Sequence, residues 1–244
     1  MSRKLSVEAL RTPIYRLGVD FNLFLAQVLQ ENITSGKTLE NRVLVITSKL
    51  LSLAEGRVLP KSSIDKETLV RREADQFLGA MGYGSFLTIK EGLLMPSAGI
   101  DESNAEGDFY ILFPKDPFLS AENIRRFICE KWKLKNFGVI LSDSHTSPLR
   151  KGVTGIALAH AGFRGIENKV GTPDLFGKNL KMTQVNVADA LAVAAVFCMG
   201  ESNESTPLAL IESEVQFCKT TPDSARIECR IETKDDLYWP CFFK

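Results

Sequence analysis

Short, dense apolar runs alternate along the chain with longer segments whose apolar residues recur every three to four positions. Residues 42–48 (RVLVITS), 108–113 (DFYILF), 137–143 (FGVILSD) and 207–212 (PLALIE) are β-branched or aromatic runs of strand length, so the pattern predicts four buried strands. Residues 20–31, 67–81, 120–132 and 185–199 carry helical spacing, with Ser120 and Gly200 as end signals. Residues 151–179 differ, because Gly152, Gly155, Gly162, Gly165, Gly171 and Gly177 stand among few strong element formers, which predicts a long, loop-rich functional segment. Helix and strand signals are mixed throughout, with neither a repeat nor a low-complexity linker. Residues 1–244 are therefore expected to form a single compact α+β unit with a mixed sheet.

Composition narrows the functional classes. At 244 residues and 44% apolar content the chain can bury a sizeable core. Thirty basic and thirty acidic residues cancel, so no global field favours nucleic acid or an anionic membrane, and a small ligand is expected instead. The stretch MSRKLSVEAL lacks the apolar core of a signal peptide, and no apolar run approaches bilayer length, which places the protein in the cytoplasm as an expectation. Cys129, Cys198, Cys218, Cys229 and Cys241 are odd in number and widely spaced, and read as reduced thiols, not as metal ligands or disulfides.

Two glycine motifs imitate nucleotide sites. Ser35-Gly36-Lys37-Thr38 ends like a phosphate-binding loop, but Glu31 stands where that loop requires glycine, so a solvated turn is expected. Residues 79–84 (GAMGYG) have the wrong glycine order for a dinucleotide fingerprint and follow a predicted helix, which suggests a helix cap and turn. Stronger candidates are polar loops at strand ends: Ser48-Lys49 after one strand, residues 97–104 (SAGIDESN) before another, and Asp143-Ser144-His145-Thr146 after a third. Each can simply terminate a strand. Meeting at one rim, they would offer the oxygen ligands that suit a hard cation.

Seven segments then resemble one family in identity and order: SKLLSLAEGRV (48–58), AGIDESN (98–104), LFPKDP (112–117), GVILSDS (138–144), the glycine-rich stretch, VADALAVAA (187–195) and MGESNESTP (199–207). The chain is similar to the coenzyme F420-0:gamma-glutamyl ligases over most of its length, while residues after about 215 carry no recognisable motif. The resemblance implies that family's fold and a metal- and nucleotide-dependent amide ligase. GTP, or ATP, phosphorylates a carboxylate of a pterin- or deazaflavin-type acid, and L-glutamate displaces the phosphate. It also implies Asp101 and Asp143 as catalytic metal ligands for Mg²⁺ or Mn²⁺, with Ser144 and Glu201 serving a second ion. Nucleotide contacts are implied for Ser48, Lys49 and Asn104, for Arg11, Thr12, Pro13 and Ile14, and for Met199, Gly200, Ser202, Asn203 and Thr206. A homodimer is implied as well.

Read on their own, Lys49 is a phosphate contact or a surface lysine, and Glu55 and Arg57 of AEGR are an internal ion pair or substrate contacts. His145 is expected to line the pocket, with Asp174 and Asp189 outside the core site. Two positions depart from the family pattern: Leu53 replaces a lysine, and Ser144-His145-Thr146-Ser147 replaces a Gly-Arg pair. Losing two cationic positions points toward an acceptor less anionic than F420-0, with dihydropteroate as the candidate. A catalytically inactive nucleotide-binding relative and a metal-dependent phosphohydrolase are the alternatives.

Overall fold

The computed structural model describes residues 3–34, 36–103 and 107–242. Four apolar runs become strands, and three of them form the centre of a five-stranded sheet. These are β2 (Arg42–Thr47), β8 (Phe137–His145) and β12 (Leu208–Ser213), flanked by β1 (Leu5–Leu10) and β9 (Thr154–Ala161) in the order β1-β12-β2-β8-β9. β2 and β8 run parallel, and every other neighbour pair is antiparallel. The runs are continuously apolar because both faces are covered. Leu44, Ile46, Val139, Leu141 and Leu210 point to α1 (Phe21–Thr34) and α4 (Pro117–Trp132). The alternate residues Val43, Val45, Ile140, Ala209 and Ile211 point to α5 (Val187–Met199). Each fully buried aliphatic side chain of this kind contributes about 1.5–3 kcal/mol, enough in sum to fix the register of the sheet.

Two expectations are corrected. The segment 151–179 is not mainly loop, since it holds edge strand β9 and also β10 (Ile166–Asn168), which pairs with β11 (Gln184–Asn186). Several of its glycines serve close packing: a Cβ on Gly155 would collide with the carbonyl oxygen of Ala192 on α5, and one on Gly162 would collide with the Phe137 carbonyl. The predicted helix 67–81 stops early, as α3 (Lys66–Glu73), and the rest becomes β4 (Gln76–Ala80) in a hairpin with β5 (Phe86–Lys90). Its helical spacing is overridden by tertiary contacts, for Phe77 packs on Phe86, outside the window, at 5.5 Å, and the Arg71 guanidinium lies 3.7 Å from the Phe77 centroid. Residues 79–84 are accordingly a strand bulge and hairpin turn, not a helix cap.

The remaining elements frame the site. α2 (Ser48–Ala54) follows β2 directly, β3 (Val58–Pro60) pairs with β7 (Phe109–Ile111), and β6 (Leu93–Pro96) completes the β4-β5-β6 sheet. α3 and these small sheets share a second core of Leu69, Val70, Ala98, Ile100, Tyr110 and Leu112. α6 (Pro222–Cys229) and α7 (Trp239–Phe242) end the chain, giving one α+β unit. Among the described residues no helix is long and apolar enough to cross a membrane. The five cysteines are free, with Cys198 and Cys241 exposed.

Candidate functional site

Strand direction gathers the predicted residues at one rim of the large sheet. The parallel strands β2 and β8 end side by side, Thr47 opposite Ser142, so Ser48-Lys49 and Asp143-Ser144-His145 emerge together. The antiparallel partners bring their opposite ends to the same edge: β12 begins there, with the Thr47 N–H donating to the Pro207 carbonyl at 3.0 Å, and β1 finishes there. Arg11 to Ile14 and Met199 to Thr206 are joined at this rim by the Thr12 N–H, which donates to the Ser205 carbonyl at 2.9 Å. Within them, the Thr206 hydroxyl donates to the Met199 carbonyl and the Ser202 N–H to Glu204 at 2.8 Å, while Ile14 stands 80% exposed.

Asp101 reaches the rim from the small sheets. β6 runs into Ser97-Ala98-Gly99, three consecutive residues with φ of 49°, 54° and 68°, a left-handed turn that costs about 1–3 kcal/mol per non-glycine residue. Packing holds it: Ala98 is fully buried, its N–H donates to the Thr88 hydroxyl at 2.8 Å, and a Cβ on Gly99 would stand 2.7 Å from the Phe113 ring. Beyond the turn, Asp101 makes a two-way backbone bridge to Ile111 at 2.9 and 2.8 Å.

The Asp101 carboxylate receives the Lys49 ammonium at 2.7 Å and both the N–H and hydroxyl of Ser103, at 2.7 and 2.9 Å. Burial pushes its pKa up, but the Lys49 hydrogen bond and charge and the Ser103 contacts outweigh that, so the carboxyl sits below the ordinary range. Asp143 is lifted to about 6. Burial is the main cause, the Ser144 N–H at 2.9 Å opposes it, and the nearby Asp101 charge adds to it. The β8–β9 ladder shifts register between Leu141 and Ser142, just before Asp143, with Leu158 of β9 as the extra residue.

A hard cation suits this donor set. Two carboxylates and the hydroxyls of Ser48 and Ser103 converge, and burial together with the Asp101 charge makes the Asp143 carboxylate costly to ionise. Among the described residues no three acidic, histidine or cysteine side chains cluster as a ready metal cage, so hydroxyls, water or substrate oxygens would complete the shell. Ser144 donates to Glu201 at 2.7 Å, which brings these two side chains together at the same rim. Asn104 lies outside the described residues.

Other expectations are resolved locally. Glu55 and Arg57 do not pair with each other. Glu55 accepts from the Lys115 N–H at 2.8 Å and the Ser120 hydroxyl at 2.7 Å, while Arg57 pairs with Glu73 at 2.5 Å and donates to the Phe113 carbonyl at 3.1 Å. Burial lowers the His145 pKa against the opposing charge of Asp189. Asp189 itself accepts from the Ala157 N–H at 2.8 Å and Asn186 at 2.6 Å, and Asp174 caps a turn through Phe176 and Lys178. Ser103 was not foreseen, although its position two after Asp101 is the spacing at which an aspartate accepts from the backbone ahead of it.

Comparison with known proteins agrees with the gathered motifs. A model of the F420-0:Gamma-glutamyl ligase family matches residues 9–213. The chain is 35% identical over 227 residues to the coenzyme F420:L-glutamate ligase of Methanocaldococcus jannaschii, covering 86% of this chain and 88% of that one. It is 31% identical to the Methanopyrus kandleri ligase of the same name, covering 76% and 79%. A third, from Methanothermobacter thermautotrophicus, is 30% identical with 82% and 84% covered.

Proposed function

The chain belongs to the F420-0:gamma-glutamyl ligase family, and from that premise we propose that it joins L-glutamate to the carboxyl group of a cofactor precursor, using GTP or ATP. The observation that carries this reading is the convergence of Asp101 and Asp143 on one small pocket with Ser48 and Lys49. Asp101 and Asp143 would hold Mg²⁺ or Mn²⁺, and Ser144 with Glu201 a second ion, where bound metal neutralises crowded phosphoryl oxygens.

The acceptor carboxylate attacks the γ-phosphorus, which forms an acyl phosphate and releases the nucleoside diphosphate. The glutamate amine then forms the C–N bond as the C–O bond to phosphate breaks, and the amine proton leaves to solvent. Lys49 contributes a compact positive charge for phosphate, with Ser48 at the same strand end. Residues 11–14 and 199–206, tied together at the rim, bind the nucleotide in this reading.

The named relatives favour an F420-type acceptor. One observation favours dihydropteroate instead: Ser144-His145-Thr146-Ser147 offers no guanidinium for an acidic acceptor, and burial keeps His145 neutral near pH 7. Leu53 adds little to that case, being packed against the core beside α1 and α4. The deciding experiment combines purified protein, nucleotide, Mn²⁺ or Mg²⁺ and glutamate with each acceptor in turn, following product mass and phosphate. Phosphate released without any need for glutamate would make the protein a phosphohydrolase, and no turnover with either acceptor would favour a non-catalytic relative. Dimer assembly belongs to the same proposal, and light scattering at the 27.1 kDa chain mass would contradict it.

A further inference from the structure

Residues 214–242 lie beyond the family match, yet α6 packs against α4 and β9 and directs two arginines at the segment that carries Asp101. That segment leaves the β5–β6 turn at Glu91, passes through β6, the left-handed turn, Asp101 and β7, and re-enters the principal layers at Asp116. Asp116 caps α4 by accepting from the Leu119 N–H at 3.0 Å. The C-terminal arginines grip the β5–β6 turn at one point and the start of α4 at another. Arg230 pairs with Glu91, and Arg226 reaches Asp116 at 2.9 Å, Glu91 at 3.5 Å and Asp223 at 3.3 Å. The two guanidiniums also lie 5.0 and 5.6 Å from the ring centroid of buried Phe118, which binds them to the root of α4.

The turn is shaped for this grip. Glu91 and Gly92 have φ of 53° and 75°, as a tight two-residue hairpin requires, and a Cβ on Gly92 would stand 3.0 Å from the Arg230 side chain. Partly exposed ion pairs add little to global stability, so stability alone is a weak account of two arginines meeting three carboxylates here. Their placement ties the turn of the small β4-β5-β6 sheet, whose last strand leads on to Asp101, to the start of α4 and to α6, which pack on the principal layers.

We propose that Arg226 and Arg230 are positioning residues that set Asp101 against Asp143, making the C-terminal segment part of the cation site. The inference rests on reading the two aspartates as cation ligands. Loosening the grip weakens cation binding while leaving turnover at saturating metal nearly intact, as expected when supporting residues of a metal site are lost.

The test uses the full chain and Mn²⁺ alone, with free Mn²⁺ followed by electron paramagnetic resonance. In R226Q/R230Q the Mn²⁺ dissociation constant is expected to rise about tenfold or more, with the Mn²⁺ concentration for half-maximal turnover rising in step and kcat little changed. Amide hydrogen exchange should quicken at Asp101 and Ile111 and stay unchanged in β2 and β8. The charge-exchanged E91R/R230E variant should recover affinity lost in R230E, and it decides the matter if R226Q/R230Q does not fold. D143N in the same titration separates the two layers. Loss of binding in D143N with unchanged binding in R226Q/R230Q, or no recovery in E91R/R230E, overturns the positioning role alone. Unchanged Mn²⁺ binding in D143N overturns the cation site and the inference with it.

Discussion

Asp143 and Asp101 sit together but are held in opposite ways. Asp143 belongs to β8 in the principal sheet, one residue past the end of its ladder with β2 and still paired with Ile156 of β9, so its backbone is carried by that sheet. Asp101 hangs on a left-handed turn, a single backbone bridge to a three-residue strand and a pair of arginines beyond the turn. Electrostatics follow the same division. Burial governs Asp143 and makes its charge costly, whereas Lys49 and Ser103 overcome burial at Asp101 and make its charge secure. One half of the site supplies rigidity and a carboxylate whose charge burial makes costly. The other supplies a ready anion on a segment whose position the rest of the molecule must enforce.

Removing either charge tests the pair most severely. Asp101→Asn and Asp143→Asn each keep the shape but remove a carboxylate of the proposed cation site; with a ligand worth several kcal/mol of transition-state stabilisation, turnover should fall by on the order of 10³-fold or more. The two should part in stability. Asp143→Asn removes a costly buried charge and should leave the melting temperature unchanged or higher, while Asp101→Asn strands the Lys49 ammonium and should lower it. Wild-type turnover in either variant would dissolve the comparison.

The next effect is a pH dependence of the protein freed of divalent ions. With a folded value near 6 against an ordinary 3.8, Asp143 binds a proton more tightly in the folded state. Stability should therefore fall as pH rises from about 4 to about 6, by on the order of 2–3 kcal/mol, and stay lower above that window. Asp101 has the opposite sign, since its lowered value contributes stability above its ordinary pKa that is lost as pH falls through the folded one. Urea unfolding in chelator from pH 4 to 7 should show the decline in the wild type and its absence in Asp143→Asn. A flat wild-type profile would mean that Asp143 is better satisfied than its surroundings indicate.

Lys49→Ala takes the ammonium from Asp101 and, in the proposed reading, from the nucleotide phosphate as well. Nucleotide affinity should weaken by about 1–3 kcal/mol, read by calorimetry. An unchanged dissociation constant would confine Lys49 to its pairing with Asp101.

The same contrast explains what the sequence could tell. The rim half was legible because continuous apolar runs must be buried strands, and polar residues directly after them must stand at their ends. The Asp101 half was legible only as a motif. Neither the left-handed turn at Ser97 and Ala98, where non-glycine residues hold positive φ, nor the register of β7 leaves a local signal. Helical spacing misled over 74–81 because the fate of Phe77 depends on Phe86 and Arg71. Glycines over 151–179 misled because loops and tight interlayer contacts call for the same residue, as Gly155 under Ala192 demonstrates. The arginine grip was invisible for a simpler reason: Glu91 and Arg230 are 139 positions apart.

The smallest effect concerns Glu55, which joins the two halves from behind. It ends α2, whose start bears Ser48 and Lys49, and it accepts from Lys115 and Ser120, where the Asp101 segment passes into α4. Both carboxylate oxygens are thus committed to the protein. Glu55→Gln can keep both contacts, because an amide oxygen accepts from the Lys115 N–H and an amide nitrogen donates to the Ser120 hydroxyl, which serves either role. Only charge assistance is lost, about 0.5–1.5 kcal/mol, equivalent to a melting shift of about 2–4 °C in a domain of this size. Glu55→Ala, which leaves the Lys115 N–H without its acceptor, should cost more. In both variants the Michaelis constants for nucleotide and glutamate should hold within about twofold, since a lost structural clip changes stability more than ground-state binding. A tenfold rise in either constant with an unmoved melting temperature would instead make Glu55 a substrate contact, with the oxygens turned outward in the working enzyme.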